Sequence, residues 1–555
     1  MSLRVGSVWC GLTTIVLATA PGLGGPGLGA QSPSTARPTW LEATAGTALE
    51  SYVRLLTLDS ARATYPVGER AFSPRELERI TRAAGTRHPW AARFTSADTV
   101  SRGARVQFLR PLAQAIVNTT FPFGMNQGPI WAGRGLTTAT QLGLVAEAGP
   151  LTVRLEPVAF RAQNAAFPLF PNGLTGDARL RDPIEPDHID LPQRFGWRAY
   201  ERLDLGNSEV RLDVVGLAVG VSNANEVWGP SITHPLILSA NAPGFLHGFV
   251  GTGRPIGLPF GIARINARLE VGRIEESAES PAGDSLRHRG MSGAVFSILP
   301  GGPLDGIEVG GTRFYHYQWT GRLSSHDLLF PLTDFFFKQG HEQIDDPSSP
   351  GYVAAFQLAS LFARWAFPQA GLEVYGEYLR HDAAADARDL LLEPDHQAAF
   401  TVGFQRLCRA SATRWTVIRA EVVDARTTAL NRVRPQARLY QHGQLVQGHT
   451  SRGEVLGSVA VLGGGGAVLG WDRYTPAGKT TVELHRILHV VPLGEGSPVN
   501  HTDVQYVARM DHTAFRRGVD LMYGGGVVYE LNRNFQRDAV NVLLSVGARW
   551  GRQQR

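Results

Sequence analysis

The chain has 555 residues, with 54 basic against 49 acidic side chains, two cysteines, 63 glycines and 34 prolines. After the first 30 residues no window of 18 uninterrupted apolar residues occurs, which excludes helical membrane spans, and no basic block is dense enough to suggest a nucleic-acid partner. Cys408 is the only cysteine beyond the leader-like segment, which excludes an intramolecular disulfide there.

In chain order, residues 1–30 read as a cleaved export signal. Arg4 gives a positive start, Val8 to Ala20 is apolar, and Gly29-Ala30-Gln31 offers small residues at a cut. Ala18-Thr19-Ala20 has the same form, but Pro21 disfavours cleavage after it. The alternative, an uncleaved anchor, needs ~20 apolar residues where this run has about 13. Residues 31–39 read as a flexible mature start.

From Trp40 to roughly Phe94 the spacing is helical. One helix is expected from Thr47 to about Leu58, with Tyr52, Leu55 and Leu56 apolar. Another starts at Ser73-Pro74-Arg75-Glu76, where serine caps, proline fits the first turn and glutamate reaches back to the cap. Leu77, Ile80 and Ala84 continue it. These pieces are too few for a large core, and residues 31–99 are read as a flexible start followed by a small periplasmic helical element.

From about Gly103 the period becomes two. Val210, Leu212 and Val214 oppose Glu209, Arg211 and Asp213; Leu151, Val153 and Leu155 oppose Thr152, Arg154 and Glu156. Ile265, Ala267, Leu269 and Val271 oppose Arg264, Asn266, Arg268 and Glu270, and Val540 to Trp550 repeats the scheme. A soluble sandwich also alternates. Three features favour an all-β, antiparallel transmembrane barrel over residues 100–555: strands continue without a helical interruption, many approach the ~9–11 residues that cross a bilayer obliquely, and aromatics recur near strand ends. Those aromatics include Tyr315, Tyr317, Trp319, Tyr375, Tyr378, Trp415, Tyr506, Tyr529 and Trp550. At ~25 residues per strand and loop the count is roughly 16–20. Trp550 is followed by Gly-Arg-Gln-Gln-Arg, read as a short tail beyond the closing strand.

Three stretches stand apart from the strands: 118–136, 223–257 and 440–466. They carry Phe121-Pro122-Phe123-Gly124-Met125-Asn126-Gln127-Gly128-Pro129-Ile130-Trp131-Ala132-Gly133-Arg134, Trp228-Gly229-Pro230, Asn241-Ala242-Pro243-Gly244-Phe245 and Gln447-Gly448-His449-Thr450. With Tyr375-Gly376-Glu377-Tyr378, and in this order over most of residues 50–550, they resemble the Wzi-type outer-membrane capsule-assembly family. The resemblance implies a barrel of 18 strands with helices on the periplasmic side, and a lectin-like role in holding capsular or extracellular polysaccharide at the cell surface.

Sugar binding needs flat aromatic faces and planar polar groups. Asn225, Glu226, Trp228, His234 and Arg254 supply these types in one irregular stretch, and Trp131 and Arg134 in another. The blander alternative for each is structural: Trp228 shapes a loop folded into the lumen, and Arg134 pairs with a lumen carboxylate. No metal, cofactor or catalytic site is expected. His326-Asp327 and His381-Asp382 are adjacent pairs whose members point to opposite faces. Glu373 and Glu377 share a face but lie roughly 13 Å apart at ~3.3 Å per residue, too far for a glycosidase pair. No zinc-protease, nucleophile-elbow or phosphate-loop motif occurs. The chief alternative function is a porin with an arginine-rich lumen and mild anion preference. Partners are expected to be polysaccharide and outer-membrane lipid, with the chain a monomer.

Overall fold

The computed structural model describes residues 42–59, 65–84, 87–94, 104–283, 288–319, 355–381, 387–426, 438–491 and 501–551. The expected signal segment, the flexible residues 31–39, Cys10, His326, Asp327 and Asp382 lie outside them.

Twenty-one strand segments form one antiparallel sheet, and in three places two short segments continue a single strand across an interruption. The wall therefore has 18 strands. They are β1 (Arg105–Asn118), β2 (Gly135–Ala148), β3 (Leu151–Leu155 and Val158–Ala162), β4 (Tyr200–Asp204 and Glu209–Val214), β5 (Leu217–Ser222) and β6 (Leu246–Thr252 and Ile256–Gly257). Next come β7 (Ala263–Glu275), β8 (His288–Pro300), β9 (Ile307–Gln318), β10 (Ala355–Phe367), β11 (Leu372–His381) and β12 (Ala398–Ser411). The last six are β13 (Arg414–Asp424), β14 (Gly464–Thr475), β15 (Gly478–Val491), β16 (His501–Arg516), β17 (Val519–Arg533) and β18 (Arg537–Trp550). Pairing of β1 with β18, from Leu112 opposite Arg549 to Asn118 opposite Leu543, closes the barrel and leaves no free edge.

The alternating faces hold, whereas two of the strand-end aromatics, Tyr375 and Trp415, point into the barrel rather than outward. On β4, Val210, Leu212 and Val214 are exposed on the outside while Arg211 is buried inside; on β18, Val542, Leu544 and Val546 are exposed and Asn541 is buried. On β7, Asn266, Arg268 and Glu270 face inward. An apolar exterior over a polar interior is the arrangement a lipid-embedded barrel requires.

Successive strands are joined at one rim by connections of six residues or fewer, and at the other mainly by long ones, including 119–134, 163–199, 223–245 and 425–463. Both ends of the barrel chain lie at the short-turn rim, which in barrels of this type is periplasmic.

The N-terminal helices sit at that rim and enter the lumen. Helix α1 (Ala48–Asp59) is buried on nearly every side, so its charges must be paired. Arg54 bonds Glu373 at 2.7 Å, Glu50 takes Arg70 at 2.8 Å, and Asp59 takes Arg409 at 2.8 Å. Helix α2 (Pro74–Ala84) begins as its sequence foretold: the Glu76 N–H donates to Ser73 Oγ at 3.2 Å, and the Glu76 carboxylate accepts the Ser73 N–H. A third short helix, α3 (Ala91–Phe94), follows Trp90, whose indole N–H donates to the Thr475 carbonyl at 3.0 Å. Tyr52, Leu55, Leu56, Trp90 and Phe94 pack with wall residues Trp415, Val417 and Tyr474 into one core.

Candidate functional site

The three stretches singled out in the sequence meet inside the barrel. Loop 119–134 touches loop 223–245 where the Gly128 N–H donates to the Ala240 carbonyl and Asn126 Nδ2 donates to the Thr233 carbonyl at 3.1 Å. Loop 223–245 joins the segment around residue 455: the Ser239 N–H and Oγ both donate to the Leu456 carbonyl, at 2.8 and 3.0 Å, and Asn241 Nδ2 donates to the Val455 carbonyl at 3.0 Å. His449 Nε2 lies 2.7 Å from the Ile237 carbonyl. Around these bonds Trp228, Leu236, Ile237, Tyr440, Leu445 and Val461 form a buried core with wall residues Phe314, Phe356 and Leu358. The outer loops thus build an apolar plug within a polar wall.

Two wall carboxylates anchor this plug and the N-terminal segment to the strands. Glu421 of β13 accepts the N–H groups of Ile232 at 2.7 Å and His234 at 2.6 Å, and the Tyr375 hydroxyl at 2.7 Å. Glu308 of β9 accepts the N–H groups of Val67 and Gly68, both at 2.9 Å, and the Ser297 hydroxyl at 2.8 Å. Carboxylate acceptors give these backbone bonds about twice the strength of neutral ones. The two anchored segments also meet: the Arg70 N–H donates to the Val227 carbonyl, and the Gly229 N–H to the Gly68 carbonyl. Gly229 has φ +87°, and a Cβ there would lie 2.5 Å from Glu377 Oε2.

The residues chosen from sequence fall into three settings. Glu226, Trp228 and His234 are buried in the plug, where the Trp228 indole N–H donates to Glu226 at 3.2 Å and His234 Nδ1 lies 2.9 Å from Ser458 Oγ. Burial pushes the His234 imidazole down to about 4, against the pull of Glu421. Asn225 is half-buried and donates to the Ala242 carbonyl at 2.7 Å. Trp131 is half-buried and packs edge-on against Phe195 at 5.0 Å, while Arg134 donates to the Thr119 carbonyl at 3.1 Å and to the Ala166 carbonyl. Arg134 therefore braces loop backbone rather than a lumen carboxylate.

Arg254 requires a correction. The sequence groups it with Trp228 as one stretch, but β6 crosses the wall between them, and Arg254 lies exposed at the short-turn rim beside Arg75 and Arg79 of α2. Glu373 and Glu377 do share the lumen face, each with its own partners: Glu373 takes Arg54, Arg364 and Gln405, and Glu377 takes the Ser360 hydroxyl.

Sequence reasoning passed over the 163–199 loop at the outer rim. There Trp197 is 47% exposed, its indole N–H donates to Asp177 at 2.8 Å, and the Arg194 guanidinium lies 5.6 Å from its ring. Phe195 and Tyr200 stack behind it at 4.6 Å. The signal available was composition, since the stretch holds Phe170, Arg179, Arg181, Trp197 and Arg198 in one irregular run. Inside the barrel a polar cavity of about 510 Å³ remains between plug and wall, lined among others by Arg70, Asn126, Arg419, Lys479, Glu483 and Arg509.

No protein-family model and no curated protein matches the chain. Among solved structures, Wzi of Escherichia coli, described as an outer-membrane protein involved in group 1 capsule assembly and a carbohydrate-binding β-barrel, aligns over 91% of this chain and 98% of its own. The TM-score is 0.58 and the identity 13%. OccK5 (OpdH) of Pseudomonas aeruginosa aligns over 80% of this chain and 98% of its own, with a TM-score of 0.38 and 10% identity. The protein therefore has a Wzi-like fold, an antiparallel barrel of 18 strands with its lumen occupied from both ends.

Proposed function

We propose that this protein is a non-enzymatic outer-membrane barrel that binds surface polysaccharide and keeps capsule or exopolysaccharide attached to the cell. The observation that carries this reading is the plug. Its motif-bearing loops fold inward and bond to one another and to wall carboxylates, so the sequence invests in filling the lumen rather than in lining an open one. A core of this size narrows the water-filled passage that a passive porin needs. The Wzi likeness supports the same direction, because that protein is described as a carbohydrate-binding barrel.

The contact surface fits best at the outer rim, on the 163–199 loop and loop 119–134. Trp197 presents an aromatic face, and exposed Arg179 and Arg198 stand near it in the chain with planar donors for hydroxyls or uronate carboxylates. Trp131 and Arg134 lie beside this loop, through Phe195 and the Ala166 carbonyl. Asn225, Glu226, Trp228 and His234 contribute by holding the plug that supports these loops. A long repeating polymer then engages many weak contacts on many copies, which gives avidity without a tight single site.

Deletion of the gene, followed by measurement of cell-bound and shed polysaccharide, tests the reading. A shift of polymer to the medium at unchanged total yield is expected, and equal ratios in mutant and parent overturn it. Single-channel recording separates the porin alternative, because large steady open steps from the purified protein assign it to transport.

A further inference from the structure

One polar cluster in the barrel is not explained by plug anchoring. Glu226 of the plug, His247 of β6 and Glu270 of β7 are all buried, and a ligand atom from each lies within 4.8 Å of the other two. The register explains the wall half of the arrangement. His247 pairs with Gly272, and Glu270 stands two residues from Gly272 on the same face, so the two side chains are diagonal neighbours in the lumen. A Cβ at residue 272 would lie 2.7 Å from His247 Cβ, so glycine keeps that approach open.

The donor atoms point at one another. His247 Nδ1 sits 2.9 Å from the Phe245 carbonyl, which places a proton on Nδ1, and Nε2 faces Glu226 Oε1 at 3.3 Å and Glu270 Oε1 at 3.6 Å, where a metal ion would take the place of the Nε2 proton. The Glu226 and Glu270 carboxyls are within hydrogen-bonding reach of each other, and Glu270 Oε2 has no partner although it is fully buried. Arg268 bonds both carboxylates, and Glu69 lies 3.6 Å from the same guanidinium. With Glu69, Glu226 and Glu270 ionised, Arg268 supplies one positive charge, and the other two come either from protons on His247 and one carboxyl or from a single dication in their place.

We propose that Glu226, His247 and Glu270 bind a divalent transition metal, with Zn²⁺ the ion that one imidazole and two carboxylates suit. The Phe245 carbonyl and the Trp228 indole, which donates to Glu226 Oε2, orient the ligands from behind. Since Glu226 belongs to the plug and the other two belong to the wall, the ion is a latch that fastens loop 223–245 to β6 and β7.

The test uses untagged full-length protein, purified folded in detergent, stripped with a chelator, equilibrated with Zn²⁺ alone and desalted. Elemental analysis is expected to find one zinc ion per chain, and X-ray absorption a shell of nitrogen and oxygen at ~2.0–2.2 Å with one imidazole. His247→Gln and Glu270→Gln are each expected to abolish retention, while His188→Gln, at an exposed histidine elsewhere, retains the ion. Stripping is expected to raise amide exchange in residues 223–230. If folded wild-type protein retains no zinc, protons balance the cluster and the proposal fails. Retention undiminished in folded His247→Gln also overturns it. Should that variant not fold, the absorption spectrum of Co²⁺-loaded wild type decides: ligand-field bands altered by an imidazole and oxygen donor set support the site, and the spectrum of aqueous Co²⁺ overturns it.

Discussion

Glu421 Oε1 accepts the backbone N–H of His234 at 2.6 Å, so a carboxylate on the wall holds the turn of the plug loop by its main chain rather than by a side chain. The same carboxylate takes Ile232 N–H and the Tyr375 hydroxyl. Glu421→Gln removes the charge and one acceptor, leaving backbone donors poorly matched. Loss of about 2–4 kcal/mol from the plug is expected, since hydrogen bonds to charged groups contribute about 1.5–3 kcal/mol each. Faster proteolysis within 223–245, with the barrel still intact, is the readout.

Trp228 is fully buried, and a Cβ added at Gly293 on β8 would lie 2.6 Å from its ring. Gly293→Ala is expected to displace the indole and cost about 1–3 kcal/mol by overpacking. Trp228→Phe costs stability by itself but removes the clash, so a double-mutant cycle on unfolding free energies should show the two changes partly offsetting.

Acid and base act on the plug with opposite signs. Burial pushes His234 down to about 4 and His449 down to about 3, so both are neutral in the fold while the unfolded chain takes protons below about 6.5. Their effect is that stability falls as pH drops from about 6.5 towards 4. Burial pushes the Glu69 and Glu454 carboxyls up to about 7, and the stability tied to their neutral forms is lost as pH rises from about 4.5 through 7. Between pH 5 and 7 the slope of the urea midpoint against pH is expected to become more negative in His449→Gln and more positive in Glu454→Gln.

Trp197→Ala combined with Arg198→Ala is expected to change stability by less than about 0.5 kcal/mol, because both side chains are exposed. The same pair should release a larger share of polysaccharide from cells. Arg254→Ala, at the opposite rim, should leave retention unchanged. Equal retention in the first variant would remove the outer-rim contact surface while leaving the barrel and plug as described.

Much of the wall was legible in the sequence because period two is a local property. Arg268 and Glu270 alternate with Leu269 and Val271 whatever lies beyond them, and an exterior in lipid needs the apolar set outside. The cap at Ser73 is equally local, two residues three positions apart bonding to each other. The plug was legible only as the alternative reading of Trp228, a loop folded into the lumen. Trp228, aromatic beside Gly229 and Pro230, has the composition of an exposed sugar platform, yet its burial depends on Gly293 and Phe314, residues 65 and more positions away in the chain. Arg254 shows the reverse error: nearness in sequence to Trp228 placed it in the same stretch, although one crossing strand puts it at the other rim.

The amino-acid sequence by itself determined the alternation of the wall, the helical start and the motif stretches, since each rests on residues within a few positions of one another. Only the tertiary structure decided that those stretches turn inward, that Glu308 and Glu421 hold them by backbone N–H groups, and that Glu226 reaches His247 and Glu270. The physical reason is that closing the sheet between β1 and β18 creates an interior in which buried polar groups must find partners. Those partners come from whichever strands the register brings opposite, and no local pattern names them.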